Sequence, residues 1–194
     1  MIIAIEGVDG VGKTTISKLV ADKLNFIFAE KPLHYLLDDR DKEYTNYIKL
    51  RDFFNNNEDR NLSAWFYGLN YMLISNIFKG KNIVTDRYLI SMYALSFSDY
   101  NIDIYDLIVK KIELPFLTVI LKASKEIVYN RLILRNPIDK DVYKLNNIDN
   151  FYKKSYECIN RYNLNHIIID TSNLDKETIT NIIINKYFEM LEII

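Results

Sequence analysis

Apolar residues along this chain alternate between short continuous runs and longer stretches of helical spacing. Residues 1–6, 25–30, 82–86, 116–121 and 166–170 read as strands, and the run at 116–121 is apolar but for Thr118, as expected of a strand covered on both faces. Helical spacing predicts helices at residues 14–24, 62–78, 88–97, 101–112, 148–162 and 176–191. A further helix should start at Ser124, a good N-cap residue, and stop at Pro137. Pro32 cannot donate to a ladder and so ends the second strand, while Gly80 is the expected cap of the 62–78 helix. Residues 33–60 are charged and poorly periodic and predict a loop, then a helix near 44–54. The polar, non-periodic stretch at about 135–147 reads as a lid. Alternating strands and helices predict a three-layer α/β fold, a five-stranded parallel sheet with helices on both faces, because each crossover must return to the same edge.

One loop between strand and helix carries chemistry. Gly7-Val8-Asp9-Gly10-Val11-Gly12-Lys13-Thr14 is a full match to the phosphate-cradling pattern Gly-x-x-x-x-Gly-Lys-Ser/Thr, here followed by Thr15. Of the chain's five glycines, three fall in it. Glycines let backbone N–H groups curl around a polyphosphate, the helix N-terminus adds partial positive charge, Lys13 adds a full one, and the Thr14 hydroxyl can ligate magnesium. The fold is thereby narrowed to the phosphate-loop NTPase type, and residues 7–15 are the expected nucleoside triphosphate site.

Composition then removes alternatives. At 194 residues with 49% hydrophobic content, the chain fits one domain spanning residues 1–194. Twenty-five basic residues against 26 acidic ones give a net charge of −1, so no overall basic field exists to hold a nucleic acid polymer or an anionic membrane. Cys158, the single cysteine, excludes an internal disulfide, suits a reducing interior and reads as a half-buried helical residue. The apolar start lacks a basic n-region and leads straight into the phosphate loop, and no apolar run reaches membrane-spanning length, so a soluble, cytoplasmic protein is expected.

With the loop fixed, the chain resembles the thymidylate kinases and, more broadly, the nucleoside monophosphate and deoxynucleoside kinases. Ile5 to Thr15, with its internal acid Asp9, is similar to the whole loop of that family. Asp86-Arg87-Tyr88, with Ser91 and Ala94 beyond it, resembles the family's Asp-Arg-Tyr segment. Glu126, Arg131, Arg135 and Asp139-Lys140 resemble its lid helix and lid. The likeness covers most of the chain and is weakest between residues 31 and 60.

The resemblance implies an enzyme that uses ATP and Mg²⁺ to phosphorylate a deoxynucleoside monophosphate, thymidylate first. Lys13 would hold the β and γ phosphates, Thr14 and Asp86 the metal, and Arg87 the acceptor or transferring phosphate, a task suited to a forked guanidinium. Asp9 would touch the acceptor sugar or the metal, Arg51 the acceptor phosphate, and Phe66 would stack on its base. One branch of the family carries an arginine at the position of Gly10, whereas the other draws it from the lid. This chain is similar to the second, which points to Arg131 and Arg135, with a lysine, Lys140, where the lid arginine is expected. The thymine-reading positions of the family are Asn70 and Met92 here, departures that leave the base open. A deoxynucleoside kinase with Glu30 as general base, and a regulatory nucleotide-binding NTPase, remain alternatives. His34 and His166 are lone histidines, read as packed or surface residues. Family members commonly form homodimers, and the aromatic-rich 62–78 helix is the candidate surface.

Overall fold

The computed structural model describes residues 1–30, 32–38 and 43–193, without the side chain of Lys140. Five strands, β1 (Ile2–Glu6), β2 (Ile27–Ala29), β3 (Ile83–Asp86), β4 (Leu117–Lys122) and β5 (His166–Asp170), form one parallel sheet in the order β2-β3-β1-β4-β5. Between and after them run α1 (Lys13–Leu24), α2 (His34–Leu37), α3 (Thr45–Asn55), α4 (Arg60–Ile77), α5 (Leu89–Ser96), α6 (Ile102–Val109), α7 (Lys125–Arg135), α8 (Ile148–Tyr162) and α9 (Lys176–Leu191). From β1 the chain crosses toward one edge, and from β2 onward toward the other. Right-handed crossovers therefore place α1 on one face and the later crossover helices on the opposite face. Accordingly α1 packs with α9, while α5 packs with α4 and α8.

This topology fixes where the chemistry sits. The direction of travel reverses between β1 and β3, so a crevice opens beyond their carboxyl ends, where ligands bind in open parallel sheets. Ile5 is in register with Asp86, which brings the loop after β1 beside the turn after β3. β1 is buried along its whole length and β4 along nearly all of it, as the continuous apolar runs require.

Differences from the sequence expectations have physical causes. The second strand is shorter than 25–30 because Asn25 adopts a left-handed conformation to close α1. The loop before α3 contains a single helical turn, α2. Cys158 is fully buried, not half-buried, because α8 presses its inner face onto α5. The lid is not irregular: Lys140–Asn147 is a 3-10 helix leading directly into α8. Val142, Leu145 and Ile148 recur every third residue, and the last two are buried, so the period is 3.0 and invisible to a 3.6-residue template. Among the described residues no helix is long and apolar enough to cross a membrane.

Candidate active site

The phosphate loop takes its shape from glycine. Gly7 has φ +142°, and a Cβ there would meet the Leu121 carbonyl oxygen at 2.5 Å. Gly10 has φ +88°, and a Cβ would lie 3.0 Å from Val128 and 3.1 Å from Leu132. α7 thus packs directly over Gly10, and a long side chain at this position has no room. Lys13, almost wholly buried, turns back to donate to the Val8 carbonyl at 2.8 Å. That carbonyl occupies the lysine where phosphate oxygens would otherwise receive its protons.

The turn after β3 supplies the opposing wall. Arg87 has φ +74°, a conformation that costs a non-glycine residue about 1–3 kcal/mol and persists only where the surroundings impose it. Here its N–H donates to the Ile5 carbonyl at 3.0 Å, and its guanidinium to the Gly7 carbonyl at 3.2 Å and the Ser91 hydroxyl at 3.0 Å. Beneath it lies Glu6, fully buried at the end of β1. Its carboxylate accepts from the N–H groups of Tyr88, Ile90 and Ser91 and from the Ser91 hydroxyl. Glu6 therefore caps the start of α5 and ties β1 to the Arg87 turn. Burial pushes its pKa up, against the pull of the Ser91 hydroxyl, Arg87 and the helix N–H groups.

Asp9 is the centre of the site. Its carboxylate pairs with Arg87, lies 3.6 Å from Lys13 and accepts from Lys144 at 3.1 Å. Burial would raise its pKa, but Arg87, Lys13 and Lys144 together outweigh that and hold it well below the carboxylate range. Burial, with Arg87 close by, lowers Lys13 to about 8 even though Asp9, Asp86 and Glu6 oppose the shift. Arg87 stays charged: burial works against it, and Asp9, Asp86 and Glu6 more than compensate.

Asp86 and Thr14 fit a magnesium ion. One carboxylate oxygen of Asp86 accepts from the Thr14 hydroxyl; the other is buried without a hydrogen-bond partner. A hard cation that keeps its waters and takes one carboxylate, one hydroxyl and substrate phosphates suits this pair. Among the described residues no cluster of three or more acidic, histidine or cysteine side chains could hold a metal by itself.

The side formed by α3 and α4 is arranged differently. Phe66 is buried and stacks on Phe54, with centroids 4.6 Å apart at 17°, inside a small second core with Tyr47 and Leu33. Asn70 is buried, and its amide donates to the Phe66 carbonyl at 2.8 Å, leaving Oδ1 without a partner. Met92 is fully buried in the main core, so its thioether packs the interior and does not line the cleft. Arg51 gives two hydrogen bonds, at 2.9 and 2.6 Å, to its neighbour Asp52. Tyr67 lies where Arg87, Arg51 and Lys144 all influence its hydroxyl, which donates to Asn55 at 2.7 Å. It is thus a wall of the cleft that also packs against both cores.

The lid arginines do not reach the phosphate loop's carboxylate. Arg131 donates to the Thr171 hydroxyl at 2.9 Å and its carbonyl at 2.7 Å, beside a cavity of about 180 Å³ lined also by Gly12 and Thr15. Arg135 is held by Asp139 at 2.8 Å and Asp141 at 2.9 Å. The side chain of Lys140 lies outside the described residues. Glu30 neighbours the Tyr44 hydroxyl, 3.4 Å away. His34 packs on the rings of Tyr35 and Tyr44, and His166 faces the Leu164 carbonyl at 3.0 Å. A cavity of about 490 Å³ lies between the end of β4 and α8, and none of the Asp9 cluster lines it.

The geometry thus gathers Asp9, Lys13, Thr14, Asp86 and Arg87, as the sequence motifs suggested, and adds Lys144, Glu6, Ser91 and Tyr67. Lys144 sits in a polar stretch that also carries Lys140, and the path of the 3-10 helix brings it to Asp9.

Comparison with known proteins gives the family and the fold. The family model described as thymidylate kinase matches residues 5–183. The chain is 28% identical over 184 residues to a thymidylate kinase of Nautilia profundicola, covering 89% of each. It is 29% identical over 197 residues to a cytidylate kinase of Methanocaldococcus jannaschii, covering 94% of this chain and 95% of that one. Among solved structures, a deoxyadenosine kinase from M. mycoides with dCMP and a flexible dCDP bound superimposes with a TM-score of 0.67 at 20% identity, covering 97% of this chain and 100% of that chain. A likeness at that identity carries the fold, and the family match carries the class: the chain is a nucleotide kinase and belongs to the thymidylate kinase family.

Proposed function

We propose that this chain transfers the γ-phosphoryl group of ATP to a deoxynucleoside monophosphate, with thymidylate the first acceptor to be tested. The observation that carries this reading is the cluster of Lys13, Arg87 and Lys144 around Asp9, with the Thr14–Asp86 pair beside it. Phosphoryl transfer is positioning plus electrostatic stabilisation, and it needs cations on donor and acceptor oxygens at once. Lys13 exchanges the Val8 carbonyl for donor phosphate oxygens, and the cavity beside Gly12, Thr15 and Arg131 takes the donor's base. Arg87, fixed by Gly7 and Ser91, presents its remaining donors to the acceptor phosphate. Thr14 and Asp86 would hold a magnesium ion, which would supply charge neutralisation for the donor phosphates. A coupled spectrophotometric assay of ADP release over a panel of nucleotide acceptors tests the reading, and no turnover with any monophosphate removes it.

A second reading of the acceptor rests on Asn70. Its NH₂ end is pinned to a carbonyl, so the amide cannot flip, and the free Oδ1 calls for a donor. Cytosine and adenine offer an exocyclic amine; thymine offers a carbonyl at the same ring position. The cytidylate kinase among the relatives makes dCMP the natural competitor to thymidylate in the panel.

The reading extends to a homodimer. Leu62, Trp65, Leu69 and Met72 form one stripe along α4 and are 39%, 45%, 49% and 41% exposed. A self-complementary apolar stripe on one helix suits two-fold pairing with a second copy. Light scattering of Leu69→Glu against the unaltered chain tests it, since a dimer should become a monomer.

A further inference from the structure

We propose that Lys144, and neither arginine of α7, is the lid residue that touches the transferring phosphoryl group, and that Asp9 is its resting dock in the nucleotide-free protein. The inference rests on the kinase reading above and assigns a residue within it.

Steric reasoning comes first. α7 packs on the phosphate loop at Gly10, where a Cβ would already crowd Val128 and Leu132, so position 10 cannot carry a long cation to stand beside Lys13. The cation must descend from elsewhere. Arg131 is committed to Thr171 through both its terminal nitrogens, and Arg135 to Asp139 and Asp141. Among the described residues of the lid, Lys144 is the cation that bonds a phosphate-loop side chain, at 3.1 Å from Asp9.

The lysine is delivered by a chain of contacts. Asp139 caps the 3-10 helix, accepting the Asp141 N–H at 2.9 Å. Arg135 grips both acids, and Asp141 in turn holds Lys144 at 2.7 Å. The next residue, Leu145, is buried and anchors the turn, and Lys125 ties Asn146 to the start of α7 at 3.1 Å. Arg135 is therefore a positioning residue, acting through Asp141. Lys144 remains charged, because Asp9 and Asp141 outweigh the burial that opposes its proton.

The exchange follows from charge. Arg87 and Lys13 already neutralise Asp9, so Lys144 is a third cation on one carboxylate. An incoming γ-phosphoryl, bearing more negative charge, is the stronger partner and lies within the same loop. In the transfer an oxygen of the acceptor phosphate forms a bond to the γ-phosphorus while the bond from that phosphorus to the β–γ bridging oxygen breaks, its electron pair leaving with ADP. Lys144 donates hydrogen bonds to the non-bridging γ oxygens and keeps its protons throughout.

The test compares Lys144→Ala, Lys144→Arg, Lys140→Ala and, as a control away from the site, Lys186→Ala. Steady-state kinetics are run with ATP and whichever monophosphate the unaltered protein turns over, alongside hydrogen exchange of residues 140–147 without nucleotide. Loss of one transition-state donor predicts a kcat for Lys144→Ala lower by roughly 100-fold with KM nearly unchanged, recovered to within about tenfold by arginine. Exchange in the lid should rise when the dock is lost. Lys144→Ala retaining kcat, losing only KM, or being matched by Lys140→Ala overturns the assignment while the kinase reading stands. An unaltered protein inert on every acceptor removes both.

Discussion

The two walls of the cleft are built on opposite terms. On the side of β1 and β3, the charged groups are already answered, save the one Asp86 oxygen that fits a cation: Asp9 meets three cations, Arg87 meets Gly7, Ser91 and Asp9, and Glu6 holds four donors. On the side of α3 and α4, the groups have turned toward each other. Phe66 stacks on Phe54, Arg51 bonds Asp52, and the Oδ1 of Asn70 is buried without a donor. The first wall is preorganised for charge transfer, where moving dipoles during the reaction would raise the barrier. In the proposed reaction the second must rearrange to admit an acceptor, and a wall that rearranges is where base choice is made. Changes to the first wall should therefore reduce rate and stability, and changes to the second should shift preference.

The sharpest break is Lys13→Ala, expected to reduce kcat/KM for ATP-dependent transfer by about 10³-fold, since a full charge aimed at developing phosphate charge is lost. Coupled ADP release measures it, and a loss under tenfold would mean that the loop does not act as drawn. Next is Glu6→Ala, which strands the N–H groups of Tyr88, Ile90 and Ser91 in the interior. Unsatisfied buried donors of this kind cost about 3 kcal/mol in total, which in a chain of this size lowers Tm by roughly 6–12 °C. Melting followed by circular dichroism checks it.

The effect of pH is smaller. Lys13, lowered to about 8 by burial beside Arg87, loses its proton as pH rises from 7 to 9, so the loop surrenders a positive charge in the alkaline range. Affinity for a triphosphate should fall by up to about tenfold over that interval, and binding near pH 8.5 should take up a proton because phosphate restores the charge. Calorimetry in two buffers of different ionisation enthalpy reads that proton. Smallest in size but aimed at the second wall is Asn70→Ala. It should leave kcat for the best acceptor within about threefold and move the dCMP-to-thymidylate preference by less than about tenfold, toward thymidylate. A collapse of kcat would place Asn70 with the rigid wall and erase the contrast.

How much of this was written in the sequence follows the same division. The loop from Gly7 to Thr15 and the Asp86-Arg87-Tyr88 turn could be read directly, because their chemistry is local and their spacing is dictated by phosphate. The sheet followed from continuous apolar runs, and α8 and α9 from clean helical spacing. The 3-10 lid was missed because its period is three. Met92 was read as a pocket residue and lies in the core, since one-dimensional alignment cannot say which face of α5 meets the sheet. Glu6 is the one polar residue of the run at 1–6, and its role as the cap of α5 exists only through space, across more than eighty positions of chain. Lys144 was hidden for the same reason.

The measurement that addresses the central claim most directly follows the label from γ-³²P-ATP in a mixture of deoxynucleosides and their monophosphates, with products separated by ion-exchange chromatography. The account predicts label in a deoxynucleoside diphosphate, dependent on Lys13, Arg87 and Lys144. Label confined to a monophosphate, which would mean a hydroxyl acceptor, or to inorganic phosphate, which would mean hydrolysis alone, contradicts it.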